Sequence, residues 1–302
     1  MGMDTQSQNR RRIMLDTMRA EWQKTSQNRW ATGLAIWVFP AGALGMFTFI
    51  LLIVILGVDA GRMQLNDVRW TDQMIMAWQV ATGNIFGYLL LSAFAATIFA
   101  GESAWNTWKN LVPRRSRSLL ILAKFAVAAV FVLIAFGLTS LIAGVASLIL
   151  AAVMGVPVVP ALDGESIRAF VALYVRVVPV SFLALMMTLA YATIASVLTR
   201  SLVFGVIGGA GIATLEFGSG PLLSLLNHFT QASGVLRIQQ VMPSYNLANL
   251  RALAIDGAAL PITAVDGTPF VNSGATSLLV VGLWLVGLLS ITILIFNRRD
   301  IA

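Results

Sequence analysis

"GESAWNTWKNLVPRRSRSLLILAKF" occupies residues 101–125 and lies between two long apolar runs. It carries one acid, two tryptophans and a run of bases, and then turns apolar again with a lysine still inside it. Basic residues collect on the cytoplasmic side of membrane segments, and tryptophan prefers the membrane–water boundary. The stretch therefore reads as a cytoplasmic link between two membrane spans, and the rest of the chain can be laid out from it.

Composition supports that start. The 302 residues are 58% hydrophobic and 11% charged, against roughly 45–50% and roughly 25% in soluble domains. So much apolar surface is stable only in lipid, and the chain reads as an integral, multi-pass membrane protein. The net charge of +7 does not indicate a nucleic-acid partner, because the bases sit at the ends of apolar segments. The absence of cysteine excludes disulfides, thiol catalysis and cysteine metal sites. Met1 to Arg29 is polar and charged, without the apolar core of a cleavable signal peptide.

About 20 mainly apolar residues are needed to span a bilayer. Six segments approach this: Leu34 to Leu56, Met74 to Ala100, Leu119 to Met154, Ala169 to Leu198, the shorter Leu202 to Phe217, and Ser277 to Phe296. The third is too long for a perpendicular crossing and must tilt, bend or project. With the N-terminus inside, fourteen of the twenty Lys and Arg are cytoplasmic: six up to Arg29, five from Lys109 to Lys124, then Arg200, Arg298 and Arg299. The expected fold is an all-α membrane protein with six transmembrane helices and both termini cytoplasmic. It forms one transmembrane domain over 1–302. The outer loop 218–275 holds two short apolar pieces, expected as re-entrant or interfacial helices.

Two cytoplasmic amphipathic helices are expected. In residues 10–29, Met14, Met18 and Trp22 share one face, suiting a helix lying in the inner interface. In residues 102–112, Trp105, Trp108 and Val112 share a face, and Pro113 ends the helix because it has no amide donor. Physics leaves two readings of this second helix open. It is either an interfacial anchor or a rigid knob whose aromatics dock into a partner's groove.

Three motifs then resemble the permease subunits of ABC-2 type ABC transporters. The first is Glu102, Thr107-Trp108-Lys109, Pro113, Arg117 and Ala123-Lys124. The second is "AEWQK", Ala20 to Lys24, which contains Glu21, Trp22 and Lys24. The third is "FNRRDI", Phe296 to Ile301. In their order and expected topology they cover essentially the whole chain. The Thr-Trp-Lys variant leans toward the branch with lantibiotic and bacitracin immunity permeases.

The resemblance implies a coupling helix at 102–112 that plugs into a separate ATPase subunit, with two ATPase copies below two permeases, either identical or homologous. Glu102, Trp105, Thr107, Trp108, Lys109, Pro113, Arg114 and Arg117 are the implied ATPase-facing residues. ATP and Mg would bind the partner ATPase, and this chain would bind no cofactor and catalyse nothing itself. Export across a bacterial-type cell membrane of an amphipathic peptide, antibiotic or lipid-like molecule is implied. The alternatives are an ion-coupled secondary transporter, which should show midplane ionisable residues and broken-helix repeats, and a non-transporting membrane anchor or assembly subunit.

The remaining motifs are sparse. No phosphate-cradling Gly-x-x-x-x-Gly-Lys-Ser/Thr and no His-Glu-x-x-His occurs. The single histidine, His228, reads as structural. Glu216, near the outer end of the fifth span, reads either as an acid reaching the outer interface or as part of a substrate path or gate. Gly83/Gly87 and Gly205/Gly209 have the spacing that allows close helix approach, within the chain or at a dimer seam.

Overall fold

The computed structural model describes residues 2–57, 69–104, 116–232, 234–265 and 267–298. The N-terminal helix α1 is Gly2–Gln27. A short α2, Arg29–Thr32, is capped by Asn28, whose side chain accepts from the amides of Trp30 and Ala31. A π-helical turn, Gly33–Trp37, leads into α3, Val38–Ile55. Next come α4 (Trp70–Gln79), α5 (Ile85–Phe99), the short α6 (Gly101–Ala104) and α7 (Arg117–Met154). The long helices α8 (Gly164–Thr199) and α9 (Leu202–Thr230) follow, capped by the side chains of Asp163 and Ser201. The segment before the last helix forms α10 (Gly234–Gln240), α11 (Pro243–Ile255) and a two-residue antiparallel hairpin, β1 (Ile262–Thr263) with β2 (Pro269–Phe270). The last helix is α12, Gly274–Asn297.

Five helical stretches among the described residues are long and apolar enough to cross a membrane, and α5 is a shorter apolar helix. The all-α expectation holds apart from the small hairpin. Helix α7 has 38 residues, so it is about 57 Å long against a hydrocarbon core of about 30 Å. The helix is thus longer than one perpendicular crossing needs, and α1 packs against its first half, at Lys124 and Phe131.

Two expected boundaries are corrected. Met74 to Ala100 is not one continuous helix. It is split between α4 and α5 at Val80 to Asn84. Asn84 takes an extended backbone and accepts from Gly87 N at 2.8 Å, while its amide donates to Val80 O. The side chain thus competes with the helix and caps a new one. Conversely, the fifth span does not end at Phe217. Helix α9 runs on to Thr230 through Pro221, absorbing the piece expected as separate. Two residues before the proline, Ser219 Oγ donates to Glu216 O at 2.6 Å.

The core lies between α5, α7 and α8, where Phe94, Phe99, Phe131, Phe136, Leu185 and Leu189 are fully buried. Apolar residues such as Phe49, Leu133 and Leu283 face outward, as they must where the solvent is lipid. Close packing therefore decides helix association. A Cβ at Gly209 would lie 2.5 Å from Ala192 Cα and 2.8 Å from Ser92 Oγ, and one at Gly205 would collide with Ser196 Oγ. These glycines close the α8–α9–α5 seam within the chain. The pair Gly83/Gly87 makes no such seam. Gly83 lies in the break with open space around it, and Gly87 packs on the Ala81 backbone.

A polar bridge ties α4 to α7 and α8. Trp78 Nε1 donates to Tyr174 OH at 2.8 Å, the Tyr174 and Ser140 hydroxyls are 3.0 Å apart, and Ser140 Oγ donates to Met74 O at 2.7 Å. The segment holding α10, α11 and the hairpin is equally well fastened. Asn249 Nδ2 donates to Asn272 O and Ser277 Oγ, and its Oδ1 accepts from Leu260 N. Asn272 Nδ2 in turn donates to Asn246 Oδ1 and Gln240 O.

Candidate functional site: a charge cluster where three motifs meet

Helix α1 presents an inverted face to the protein. Thr17, Glu21 and Thr25, at helical spacing of four, are buried, whereas Met14, Leu15 and Trp22 are substantially exposed. In a soluble protein the apolar stripe would point inward. Here the polar stripe points inward and the apolar side chains are left on the outside of the bundle. Trp22 also reaches α7, its ring centroid 4.7 Å from that of Phe131.

The polar stripe has a specific counterpart. Lys124, two turns into α7 and 3% exposed, directs its Nζ to Glu21 Oε2 and to Glu102 Oε1, each at 2.7 Å. Lys24 Nζ lies 3.1 Å from Glu21 Oε1 and 3.1 Å from Glu102 Oε1. The four side chains close a ring in which each cation touches both acids. Removing a charge from water costs several kcal/mol, and only good geometry with opposite charge restores it. A buried lysine at this depth therefore demands both carboxylates. Burial pulls the Lys24 ammonium down, but Glu102 and Glu21 outweigh it and hold its pKa above the usual lysine value.

The third motif arrives from the C-terminal side. Arg117 Nη1 donates to Phe296 O at 3.1 Å and to Asn297 O at 2.9 Å, and its guanidinium carbon is 6.0 Å from the Phe296 ring centroid. A cation at the last carbonyls of α12 is well placed against the negative end of the helix dipole. The end of α12 thus lies beside the start of α7, two turns from Lys124 and its partners Glu21 and Glu102.

Of the residues singled out in the sequence, Glu21, Lys24 and Glu102 are in direct contact, Trp22 packs beside them, and Arg117 anchors α7 to α12. Trp105, Thr107, Trp108, Lys109, Pro113 and Arg114 lie outside the described residues. Lys124 completes the ring. Its sequence signal was a lysine stranded in the apolar start of a span.

Glu216 does not join this cluster. It lies on α9 toward the opposite end and accepts from Ser244 N at the start of α11. It lines a cavity of about 100 Å³ with Tyr88, Tyr191, Thr188, Ser244 and Arg251. The sequence reading missed Arg251. Its signal was a single base in the otherwise uncharged "NLRALAI" of α11. His228 lies near the end of α9, edge-on to Phe229 with ring centroids 5.7 Å apart.

Neither curated proteins nor solved structures give a match to the chain. The family of ABC-2 family transporter proteins matches residues 17–209, a range that contains all four members of the charge ring and stops short of Glu216 and Arg251. That match covers well over half of the chain, and the chain belongs to the ABC-2 family as a transmembrane transporter permease.

Proposed function

We propose that the chain is the permease subunit of an ATP-driven exporter, with residues 102–112 coupling it to a separate ATPase. The observation that carries the reading is the anchoring of both flanks of that segment. On one side Glu102 is bound to Lys124 of α7 and Lys24 of α1. On the other, Arg117 is bound to the end of α12. A push on the segment between them would reach α1, α5, α7 and α12 together, the kind of rigid-body input that alternating access requires.

Two permeases, identical or homologous, then enclose the pathway above two ATPases that hold ATP and Mg. The N- and C-termini are cytoplasmic in this arrangement, and the membrane is a bacterial-type cell membrane. The cargo is an amphipathic peptide, antibiotic or lipid-like molecule. The Thr107-Trp108-Lys109 variant supports placing the chain in the lantibiotic and bacitracin immunity branch.

The test is purification in mild detergent from the native membrane, with identification of co-purifying chains. A stoichiometric ATPase is expected, and Trp108→Ala should weaken its retention roughly 30-fold, as loss of an aromatic interface anchor does. Recovery of a folded permease with no ATPase would sink the reading and favour an ion-coupled transporter or a membrane anchor.

A further inference from the structure

The cavity at the α8–α9–α11 junction contains an acid and a base that do not satisfy each other. Glu216 and Arg251 both line it, yet the ion pairs among the described residues all belong to the Lys24/Lys124 ring. Arg251 makes no hydrogen bond to any described residue, and its buried Nε has no partner. The buried Tyr191 OH and Ser244 Oγ in the same wall also lack partners. Tyr88 differs, because its hydroxyl donates to Thr82 O at 2.6 Å. The other polar groups are held by rigid neighbours. Helix α11 starts at Pro243 and is fastened by the Asn246 and Asn249 bonds, and Glu216 is fixed by Ser244 N.

Buried donors and acceptors without partners are costly, and separated opposite charges in a low-dielectric site more so. Such a constellation is stable when one molecule supplies both complements. The geometry points to a binding site for an ammonium–oxyanion zwitterion, with the oxyanion on Arg251 and Tyr191 and the ammonium on Glu216. A volume of about 100 Å³ suits a group the size of phosphoethanolamine. The surrounding wall is apolar, with Met187, Ala213 and Leu247, so the same chemistry is available from a lipid headgroup or from a free small zwitterion. The assignment goes beyond the ATPase-coupled reading and does not depend on it, since binding is measured without ATP.

The experiment is native mass spectrometry of the full-length protein released from detergent. Dioleoyl-phosphatidylethanolamine and dioleoyl-phosphatidylglycerol are added in parallel at equal concentration, each with and without excess O-phosphoethanolamine. Phosphatidylethanolamine adducts should exceed phosphatidylglycerol adducts about tenfold, as expected for one charge-assisted bond. Arg251→Gln should lose both lipids. Glu216→Gln should lose only the discrimination between them. Displacement by phosphoethanolamine identifies the soluble zwitterion as the source, and resistance to it identifies the lipid. Tyr191→Phe keeps the ring and the fold while removing one donor, so it should lower phosphatidylethanolamine occupancy even if the charge variants fail to fold. Equal occupancy by the two lipids in the unmodified protein, or full retention of phosphatidylethanolamine by Tyr191→Phe and every folded charge variant, overturns the assignment.

Discussion

Lys124 Nζ and Glu21 Oε2 are 2.7 Å apart although 103 positions separate the two residues in the chain. Both side chains are almost wholly buried, and Glu102 is as close to the same ammonium. The contact joins α1 to the long apolar helix α7 at the point where the segment 102–112 begins.

Replacing Lys124 by Met should therefore destabilise the protein strongly. It would leave two carboxylates facing each other with only Lys24 between them, and loss of one partner from a buried ion pair costs about 3–5 kcal/mol. Lys24→Met should cost much less, because the Lys24 side chain is 42% exposed and solvent-screened pairs are worth about 1 kcal/mol or less. Thermal unfolding of the two variants in the same detergent measures the difference. Equal, small shifts would show that the ring contributes little.

The seam at Gly209 makes a paired prediction. Gly209→Ala introduces a methyl against the Ala192 backbone, and overpacking of this kind costs about 1–3 kcal/mol. Gly211→Ala, two residues on, meets no atom within 4 Å and should be neutral or slightly stabilising, since alanine is the better helix former. A lower melting temperature for both, or for neither, would contradict the seam.

At the opposite end, Asp163 caps α8 by accepting from Ser166 N at 2.8 Å, and that amide bond holds its carboxyl below the usual range. A depressed carboxyl stabilises the fold fully above its unfolded pKa of about 3.9 and loses that contribution as pH falls through the folded value. Exchange protection of the α8 N-terminal amides should therefore be constant from neutral pH to about pH 4 and then decline on further acidification. In Asp163→Asn, which keeps the acceptor but cannot titrate, that decline should be absent. Identical acid profiles for both proteins would remove Asp163 as the cause.

Most of the bundle is readable from hydropathy because long apolar runs report directly on the solvent around them. The boundaries that escape are those set by single side chains. Asn84 breaks a run that still looks continuous in composition, and Pro221 fails to break one because the turn around it keeps its helical course. The charge ring is half legible. Glu21, Lys24 and Glu102 stand out as charges beside apolar segments, and Lys124 as a lysine within one, but periodicity within a segment carries nothing about which distant charge meets which. The cavity at Glu216 and Arg251 is less legible still. Tyr88, Tyr191, Glu216 and Arg251 come from four helices, and each alone passes for an ordinary interfacial residue.

The ring also fixes an order of assembly. Glu21 and Lys24 leave the ribosome long before Glu102, and Lys124 comes last of the four. Until then α1 has its buried-to-be polar stripe in water, and it can dock only when α7 has inserted. Chains ending before residue 117 should accordingly leave α1 open to limited proteolysis in isolated membranes, while chains extending past α7 should protect it. Equal protection in both would mean that α1 seats itself without Lys124.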